Sequence, residues 1–322
     1  MTCTVYEISP PIKTPEHLRT DPALAAAADH AYATSRSGPR TAIPSSIIYL
    51  PYSHMVPPST LAALSASLTQ TSPSTTNDPR KAILAARLNP STVLGQIEFN
   101  FDTSNYSPYF QSVPGKSYAT MLQMLQYPFS TGSIHIPAMR PGSKTPTPTT
   151  AADNPVIDPR YYAGPGGDID FAMMVAAQKL GHRICSTAPL SSIIVARAHP
   201  PSPPIPLSPS PSPSPVNPTS PSSTATATAS NQEAEDDEDF TPFVRANTVT
   251  DWHPVGTCSM GGRAGIKHGV VDARLRVYGA RGLRVCDASV MPLQVGAHIQ
   301  ATVYAVAEKG AGMVGEDWER RG

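Results

Sequence analysis

The sequence predicts a mixed α and β fold that is divided by one long low-complexity stretch. Residues 95–101, GQIEFNF, alternate apolar and polar side chains, which is typical of a β-strand with one buried face. Residues 168–180 follow a glycine pair, carry acidic residues in the first turn and stop at Gly181, which predicts a helix. Residues 200–240 repeat proline, serine and threonine and offer few large apolar side chains to a core. With 322 residues, the chain has room for two ordinary domains or one large one.

Turn residues, capping residues and the periodicity of apolar side chains predict further helices and strands along the chain. Residues 21–36 are alanine-rich, have Pro22 in the first turn and are followed by Gly38 and Pro39, so we expect a helix with both ends marked. Helices are also predicted at 60–70, 78–88, 241–247 and 299–314. Extended segments are predicted at 117–126, 133–136, 275–278 and 283–285.

The charge balance limits the classes of partner. Lysine plus arginine and aspartate plus glutamate number 24 each, and only 15% of the residues are charged. This balance argues against a nucleic-acid partner and against a polybasic membrane patch. No window approaches about 18 consecutive apolar residues, so we expect no membrane-spanning helix. Residues 1–7 lack the features of a signal peptide, so cytoplasmic residence is the default expectation and the native location stays open.

The low-complexity stretch is expected to separate two folded regions. It ends in an acidic cluster at 233–239, and we interpret it as a disordered surface insertion that is partly polyproline II. A ligand for an SH3-type domain and a glycosylated stalk are alternative functions for it. The predicted organisation is a first region at 1–198, the insertion at 199–240 and a carboxyl-terminal segment at 241–322.

Two histidines stand in unusual settings. His253 precedes Pro254, which keeps it out of a helix interior, and Gly256 permits close approach of the backbone. An imidazole on such a loop is a candidate general base, since this side chain titrates close to neutral pH. His298 stands where the last helix begins, and a helix N-terminus suits an anion or the electron-rich end of a reduced cofactor ring. On residue type alone, a structural histidine is the simpler interpretation of each.

The same segment contains partial matches to two other kinds of site, a serine nucleophile and a zinc site. Residues 257–261, TCSMG, nearly match the GxSxG nucleophile elbow, but Thr257 replaces the first glycine and the strand-to-helix context is missing. A zinc site has no standard spacing among its only candidates, His253, Cys258, His268 and Cys286, so no metal site is predicted. Four cysteines without a CxxC spacing do not indicate a disulfide scaffold, and Cys258 and Cys286 are expected to be small buried side chains.

Residues 250–314 resemble the carboxyl-terminal signature of the glucose–methanol–choline (GMC) oxidoreductases. They contain HPVGTCSMG, VVDARLRVYG and GLRVCDASVMP in the order found in that family. Upstream stretches resemble the substrate domain of its fungal, aryl-alcohol oxidase-like branch, and the resemblance covers about residues 8–198 and 241–316. It implies a substrate-binding domain with an antiparallel sheet and helices, followed by the carboxyl-terminal part of an α/β FAD-binding domain.

The resemblance also implies a reaction and a set of site residues. The family consists of flavoenzymes that oxidise the CH–OH group of an alcohol by hydride transfer to flavin N5. His253 matches the histidine that takes the hydroxyl proton, and His298 matches its partner on the same oxygen. Positions beside FAD are matched by Asp287 and Ala288 at the diphosphate and ribityl chain and by Gln300 and Ala301 at the pyrimidine end. The expected partner is a small alcohol, with oxygen or a quinone as electron acceptor.

One family feature has no match in this sequence. The family begins with a strand, a GxGxxG turn and a helix, whereas the glycine-rich stretches at 164–167 and 261–265 have the wrong spacing. We therefore expect the amino-terminal Rossmann half to be missing, FAD binding to be weakened, and residues 270–290 to have unpaired edges. The alternatives to an active enzyme are a non-catalytic truncated remnant or incomplete gene model, and an interaction protein that uses its proline-rich segment.

Overall fold

A five-stranded antiparallel sheet organises the amino-terminal part of the protein. The computed structural model describes residues 1–9, 12–41, 45–71, 79–137, 153–201, 239–261 and 269–320. The sheet has the order β2-β3-β4-β1-β7, and every neighbouring pair is antiparallel. Its strands are β1 (Thr2–Ile8), β2 (Ser45–Leu50), β3 (Ile97–Asp102), β4 (Ser117–Leu125) and β7 (Ile194–His199). A second, two-stranded sheet pairs β5 (Ser133–His135) with β6 (Val156–Asp158).

Seven α-helices surround and follow this sheet within the described residues. They are α1 (Pro15–Thr20), α2 (Pro22–Ser35), α3 (Pro58–Thr71), α4 (Pro79–Ala86), α5 (Gly167–Ser186), α6 (Thr241–Asn247) and α7 (Gln300–Glu319). The helices and extended segments predicted before residue 250 are thus confirmed, and four strands (β1, β2, β6 and β7) and one short helix (α1) are added. In the part of the chain that the structure describes, no helix is long and apolar enough to cross a membrane. The proline-rich repeats and most of the acidic cluster lie outside the described residues.

Helix α5 covers one face of the sheet and forms the main core with it. Its buried residues Met173, Met174 and Ala177 pack in one cluster with Met121 of β4. The sequence-based end of this helix at Gly181 is wrong, because α5 continues to Ser186. A Cβ atom at Gly181 would lie 2.2 Å from Gln123 Nε2, so this glycine serves close packing of the helix on the sheet.

The opposite face of the sheet is also covered, which corrects the expectation of a strand with one buried face. Glu98 of β3 is 1% exposed, although it lies on the face that was predicted to be polar and open. Residues that precede α7 lie over this face, since Ala297 N–H donates to Gln126 Oε1 at 2.8 Å. Cys3, Leu122 and Met124 form a small apolar cluster on the same side.

The carboxyl-terminal segment has little regular structure before α7. The strands predicted at 275–278 and 283–285 are wrong, since only isolated bridges such as Arg276 to Arg284 form there. The two segments pair briefly with each other, since Val277 N–H donates to the carbonyl of Leu283 at 3.0 Å, but no further strand among the described residues extends this pairing into a sheet. The segment instead holds α7 through a small cluster of Val271, Leu275 and Val290, against which Val306 and Met313 pack.

Candidate active site

The structure brings the two predicted histidines together. The ring centroids of His253 and His298 lie 5.7 Å apart, with the planes at 78° to each other. His253 comes from the loop after α6, and His298 from the turn before α7. Each ring is also held by a carboxylate, and the two carboxylates come from different parts of the chain.

His298 is held by the sheet. Its Nε2 lies 3.0 Å from Oε1 of Glu98, whose side chain is 1% exposed. The second carboxylate oxygen of Glu98 accepts a hydrogen bond of 3.0 Å from Gln126 Nε2. Because a carboxylate only accepts hydrogen bonds, Nε2 of His298 carries a proton and Nδ1 is the ring nitrogen left for a ligand.

Tyr49 of β2 completes the surroundings of Glu98. Its hydroxyl donates a hydrogen bond to Glu98, and burial together with this negative neighbour raises the pKa of Tyr49. Glu98 therefore gathers three donors, namely Tyr49, Gln126 and His298, which offset the cost of burying its charge. Sequence reasoning missed these supporting residues, because the alternation of β3 shows which face Glu98 occupies but not what covers that face.

The turn before α7 is shaped to present His298. Ala297 has a φ of +68°, in the left-handed region that favours glycine. A Cβ atom at Gly296 would lie 2.2 Å from the hydroxyl oxygen of Tyr127, so the backbone here runs directly against that ring. The hydrogen bond from Ala297 N–H to Gln126 fixes the turn to the amide that also supports Glu98.

His253 is held within its own loop. Its Nδ1 lies 3.1 Å from Oδ2 of Asp251, and the two side chains are 25% and 28% exposed. Trp252, between them, has a φ of +54° and is 70% exposed at its side chain. Burial raises the pKa of Asp251, whereas the nearby His253 and the amino group of Met1 act in the opposite direction.

The residues matched to cofactor positions lie at the surface. Asp287 is exposed, and its carboxylate accepts a hydrogen bond of 2.8 Å from Ser289 N–H. Ala288 begins a 3₁₀ turn that runs over Ala288–Val290. Gln300 and Ala301 are exposed in the first turn of α7, which has no side-chain cap.

These features fit one part of FAD. The uncapped start of a helix of 20 residues offers free N–H groups and partial positive charge beside His298. For the diphosphate, the described residues contain no parallel strand followed by a glycine-rich turn and a helix. Among the described residues, the start of α7 is therefore suited to the flavin ring, whereas the dinucleotide-binding turn that would hold the diphosphate is not found.

The cysteines of this segment differ from their expectation. Cys286 is exposed and Cys258 is half-buried, so the prediction that both are buried is wrong. The thiol of Cys286 donates to the carbonyl of Val306 in α7 at 3.3 Å. Among the described residues, no group of three histidine, cysteine or acidic side chains is arranged to hold a metal ion. His268 lies outside those residues.

Comparison with known proteins identifies the family. The family model described as GMC oxidoreductase matches residues 137–307, which is more than half of the chain, so the protein belongs to the GMC oxidoreductases, a family of FAD-dependent flavoproteins. The resemblance seen in the sequence is thereby confirmed.

The individual relatives are fungal enzymes. The chain is 27% identical to "Dehydrogenase mpl7" of Monascus purpureus over 98% of its own length and 46% of that protein. It is 34% identical to "Alcohol oxidase 1" of Komagataella phaffii over 63% of its own length and 34% of that protein. The chain therefore spans less than half the length of these curated relatives.

Solved structures agree on the fold. A formate oxidase superposes with a TM-score of 0.61 at 20% identity, covering 99% of this chain and 46% of the other. A fungal aryl-alcohol oxidase superposes with a TM-score of 0.58 at 21% identity, covering 99% of this chain and 48% of the other. These matches confirm the expected antiparallel sheet with helices.

Proposed function

We propose that this chain supplies the substrate-binding and proton-transfer part of an FAD-dependent oxidoreductase that oxidises the CH–OH group of an alcohol. One observation carries the proposal: His253 and His298, from two separate loops, lie with ring centroids 5.7 Å apart beside the uncapped start of α7. An alcohol oxygen between the rings would meet both of them. Two fixed polar groups that converge on one oxygen are what oxidation of a hydroxyl carbon requires.

His253 takes the hydroxyl proton in this proposal. Its Nδ1 faces Asp251, so Nε2 is the ring nitrogen that remains to accept a proton from substrate among the described contacts. Nδ1 of His298 faces the same oxygen, while Glu98 holds its Nε2. The alcohol thus loses a proton to His253 and a hydride from its carbinol carbon, and the product is a carbonyl compound.

The cofactor supplies the other half of the chemistry. When bound, FAD provides the acceptor for the hydride and passes the electrons on to oxygen or a quinone. The residues that would hold it are Asp287 and Ala288 at the ribityl and diphosphate side, and Gln300 and Ala301 at the pyrimidine side. The free N–H groups in the first turn of α7 would favour negative charge on the flavin ring.

A small-molecule alcohol is the proposed substrate. Relatives named alcohol oxidase and a structural neighbour named aryl-alcohol oxidase support this class. The zero net charge of the chain is compatible with a small neutral ligand.

The test is flavin reduction by the full 322-residue chain. The purified protein is mixed with FAD, freed of unbound cofactor, and exposed without oxygen to a panel of primary and aryl alcohols. We expect the visible flavin absorbance to bleach, and we expect His253→Ala to slow bleaching by about 10²- to 10⁴-fold. His30→Ala is the matched control, because His30 is an exposed histidine of α2. Equal rates for the two variants would overturn the assignment of His253.

A second candidate is a protein that keeps the fold but has no catalytic activity. It is favoured by the absence of a phosphate-binding turn from the described residues, since such a turn supplies much of the affinity for a dinucleotide. The binding step of the same experiment separates the two. FAD that leaves the protein completely on gel filtration supports the non-catalytic candidate and overturns the oxidoreductase for this chain.

A further inference from the structure

We propose that Asp251 is the positioning residue of His253, which fixes one tautomer of the imidazole so that Nε2 faces the substrate as a proton acceptor. This inference rests on the proposed function for its catalytic consequence. Its structural part concerns the chain alone and can be tested without cofactor.

The backbone brings Asp251 to the ring. In an extended strand, residues two apart face the same side but lie about 7 Å apart, whereas here Trp252 turns the chain with a φ of +54°. Trp252 N–H donates to Thr250 Oγ1 at 3.0 Å, which holds the turn. As a result, Asp251 Oδ2 lies 3.1 Å from Nδ1 of His253, two residues further on.

The chemistry of this contact selects the tautomer. An ionised carboxylate only accepts hydrogen bonds, so the proton of a neutral His253 is placed on Nδ1 and the lone pair on Nε2. Without such a partner, both tautomers are open to the ring. Among the described residues, Asp251 is the one carboxylate within 4.0 Å of His253, so this role falls to it alone.

The two histidines are thus held by opposite ring nitrogens. Glu98 takes Nε2 of His298, and Asp251 takes Nδ1 of His253. The pair therefore offers Nδ1 of one ring and Nε2 of the other to a ligand. When both rings are neutral, each of these two nitrogens carries a lone pair, so the choice of His253 as proton acceptor comes from the proposed function, and the contact with Asp251 fixes which nitrogen of His253 serves.

The charges that face Asp251 come from several elements. His253 and the amino group of Met1 favour its ionised form, and His298 adds a smaller effect in the same direction. Glu98 opposes ionisation, and burial opposes it most. Tyr49 and Cys3 also lie within electrostatic range. Burial thus raises the pKa of Asp251, and the contact with His253 acts against that rise.

The test reads the tautomer directly. The full chain, labelled with ¹⁵N in histidine, is studied by NMR at a pH where the ring is neutral, and the ring signals are assigned with His253→Gln. We expect the wild type to show the Nδ1–H tautomer at His253 and Asp251→Ala to show mainly Nε2–H. Asp29→Ala is the matched control, since Asp29 is an aspartate of α2 whose carboxylate pairs with an arginine at the surface. A wild type with Nε2–H, or an unchanged tautomer in Asp251→Ala, would overturn the proposal.

A second variant and a kinetic measurement complete the test. If Asp251→Ala does not fold, Asp251→Leu is used, and it too must lose the single Nδ1–H form, because leucine is similar in size but has no hydrogen-bond acceptor. In FAD-loaded protein, Asp251→Ala should lower the rate of flavin reduction about 100-fold with little change in the alcohol concentration needed, and Asp251→Glu should restore part of it. A tautomer that responds as expected in a chain that never reduces flavin would refute the proposed function and leave the positioning role intact.

Discussion

Two helices of 20 residues each show how differently the two parts of this protein are built. Helix α5 buries ten of its residues against the sheet, and α7 buries only Gly310. The extended segments differ in the same way. Strands β1 and β4 are buried almost throughout, whereas residues 270–285 form only isolated bridges. The sheet region, which we call the platform, is densely packed, whereas the carboxyl-terminal segment buries few of its residues.

The paired histidines draw on both parts. His298 is held through Glu98 and Gln126, which belong to or directly follow the sheet, so its orientation depends on the platform. His253 is held through Asp251 in its own loop. We therefore expect substitutions in the platform to change both the stability of the protein and the orientation of His298. Substitutions in the carboxyl-terminal segment should change the structure only near the substituted residue. The following variants test that division.

The largest effect is expected from Glu98→Ala. It removes the acceptor of Tyr49, Gln126 and His298 in a buried place, and breaking such a buried network costs about 3 kcal/mol of unfolding free energy. Urea unfolding measures the change. Glu7→Ala is the matched control, because Glu7 pairs with Lys116 near the surface, where such a pair contributes about 1 kcal/mol or less. Equal costs for the two variants would refute the role of the platform.

Gly310→Ala should loosen the segment and leave the platform intact. A Cβ atom there would lie 2.1 Å from Cys286 Sγ, and overpacking of this kind costs about 1–3 kcal/mol. Hydrogen exchange should rise in α7 and stay unchanged in α5. Gly312→Ala is the control in the same helix, since nothing lies within 4 Å of its Cβ position, and it should gain about 1 kcal/mol from helix propensity. Increased hydrogen exchange in α5 of Gly310→Ala would show that the segment and the platform do not respond independently.

Asp170 gives the platform a dependence on pH. This carboxylate accepts from the N–H groups of Phe129 and Ser130 at 2.9 and 2.7 Å, and burial raises its pKa to about 6. A raised pKa means that the folded state binds the proton more tightly than the unfolded one. The contribution of Asp170 to stability is therefore full below about pH 4 and is lost as the pH rises through about 6.

The measurement is the difference in unfolding free energy between wild type and Asp170→Asn at several pH values. That difference should move in favour of the wild type as the pH falls from about 7 to about 4. The opposite slope would mean that hydrogen bonds from Phe129 and Ser130 outweigh burial at this carboxylate.

The smallest effect is expected at the turn that presents His298. Ala297→Gly relieves a φ of +68°, and after the entropy that glycine adds to the unfolded chain we expect a net gain of about 0.5 kcal/mol. Thermal unfolding checks the sign. Ala305→Gly, in the exposed middle of α7, should instead lose about 1 kcal/mol. A loss at Ala297 as large as that at Ala305 would show that the turn carries no strain.

Local capping and turn residues made several helices predictable from the sequence. Asp21 caps α2 and Pro22 begins it, in agreement with the helix predicted at 21–36, and the helix predicted at 241–247 has the bounds of α6. Strand β1 was missed because it is buried on both faces, so its sequence shows no alternation. Gly181 was misread as a helix end, because its packing against Gln123 involves a residue far away in the chain.

The candidate site was only half visible in the sequence. The loop context of His253 and the helix start after His298 are local signals, and they led to both rings. Glu98 and Gln126 gain their roles from strand pairing and from the way the later turn lies over the sheet, which no local pattern records. The strands predicted at 275–278 and 283–285 do not form for a related reason. An alternating sequence becomes a regular strand only where a sheet provides strands to pair with, and the local sequence does not record that.

The central claim is that His253 and His298 act together on one alcohol oxygen, and a double-mutant cycle on flavin reduction tests it most directly. Bleaching of the FAD-loaded chain by a primary alcohol is followed without oxygen for wild type, His253→Ala, His298→Ala and the double variant. The account predicts that the double variant is much less impaired than the product of the two single losses, since either change disrupts one shared site. Losses that simply multiply, or a wild-type chain whose flavin is never reduced, would contradict it.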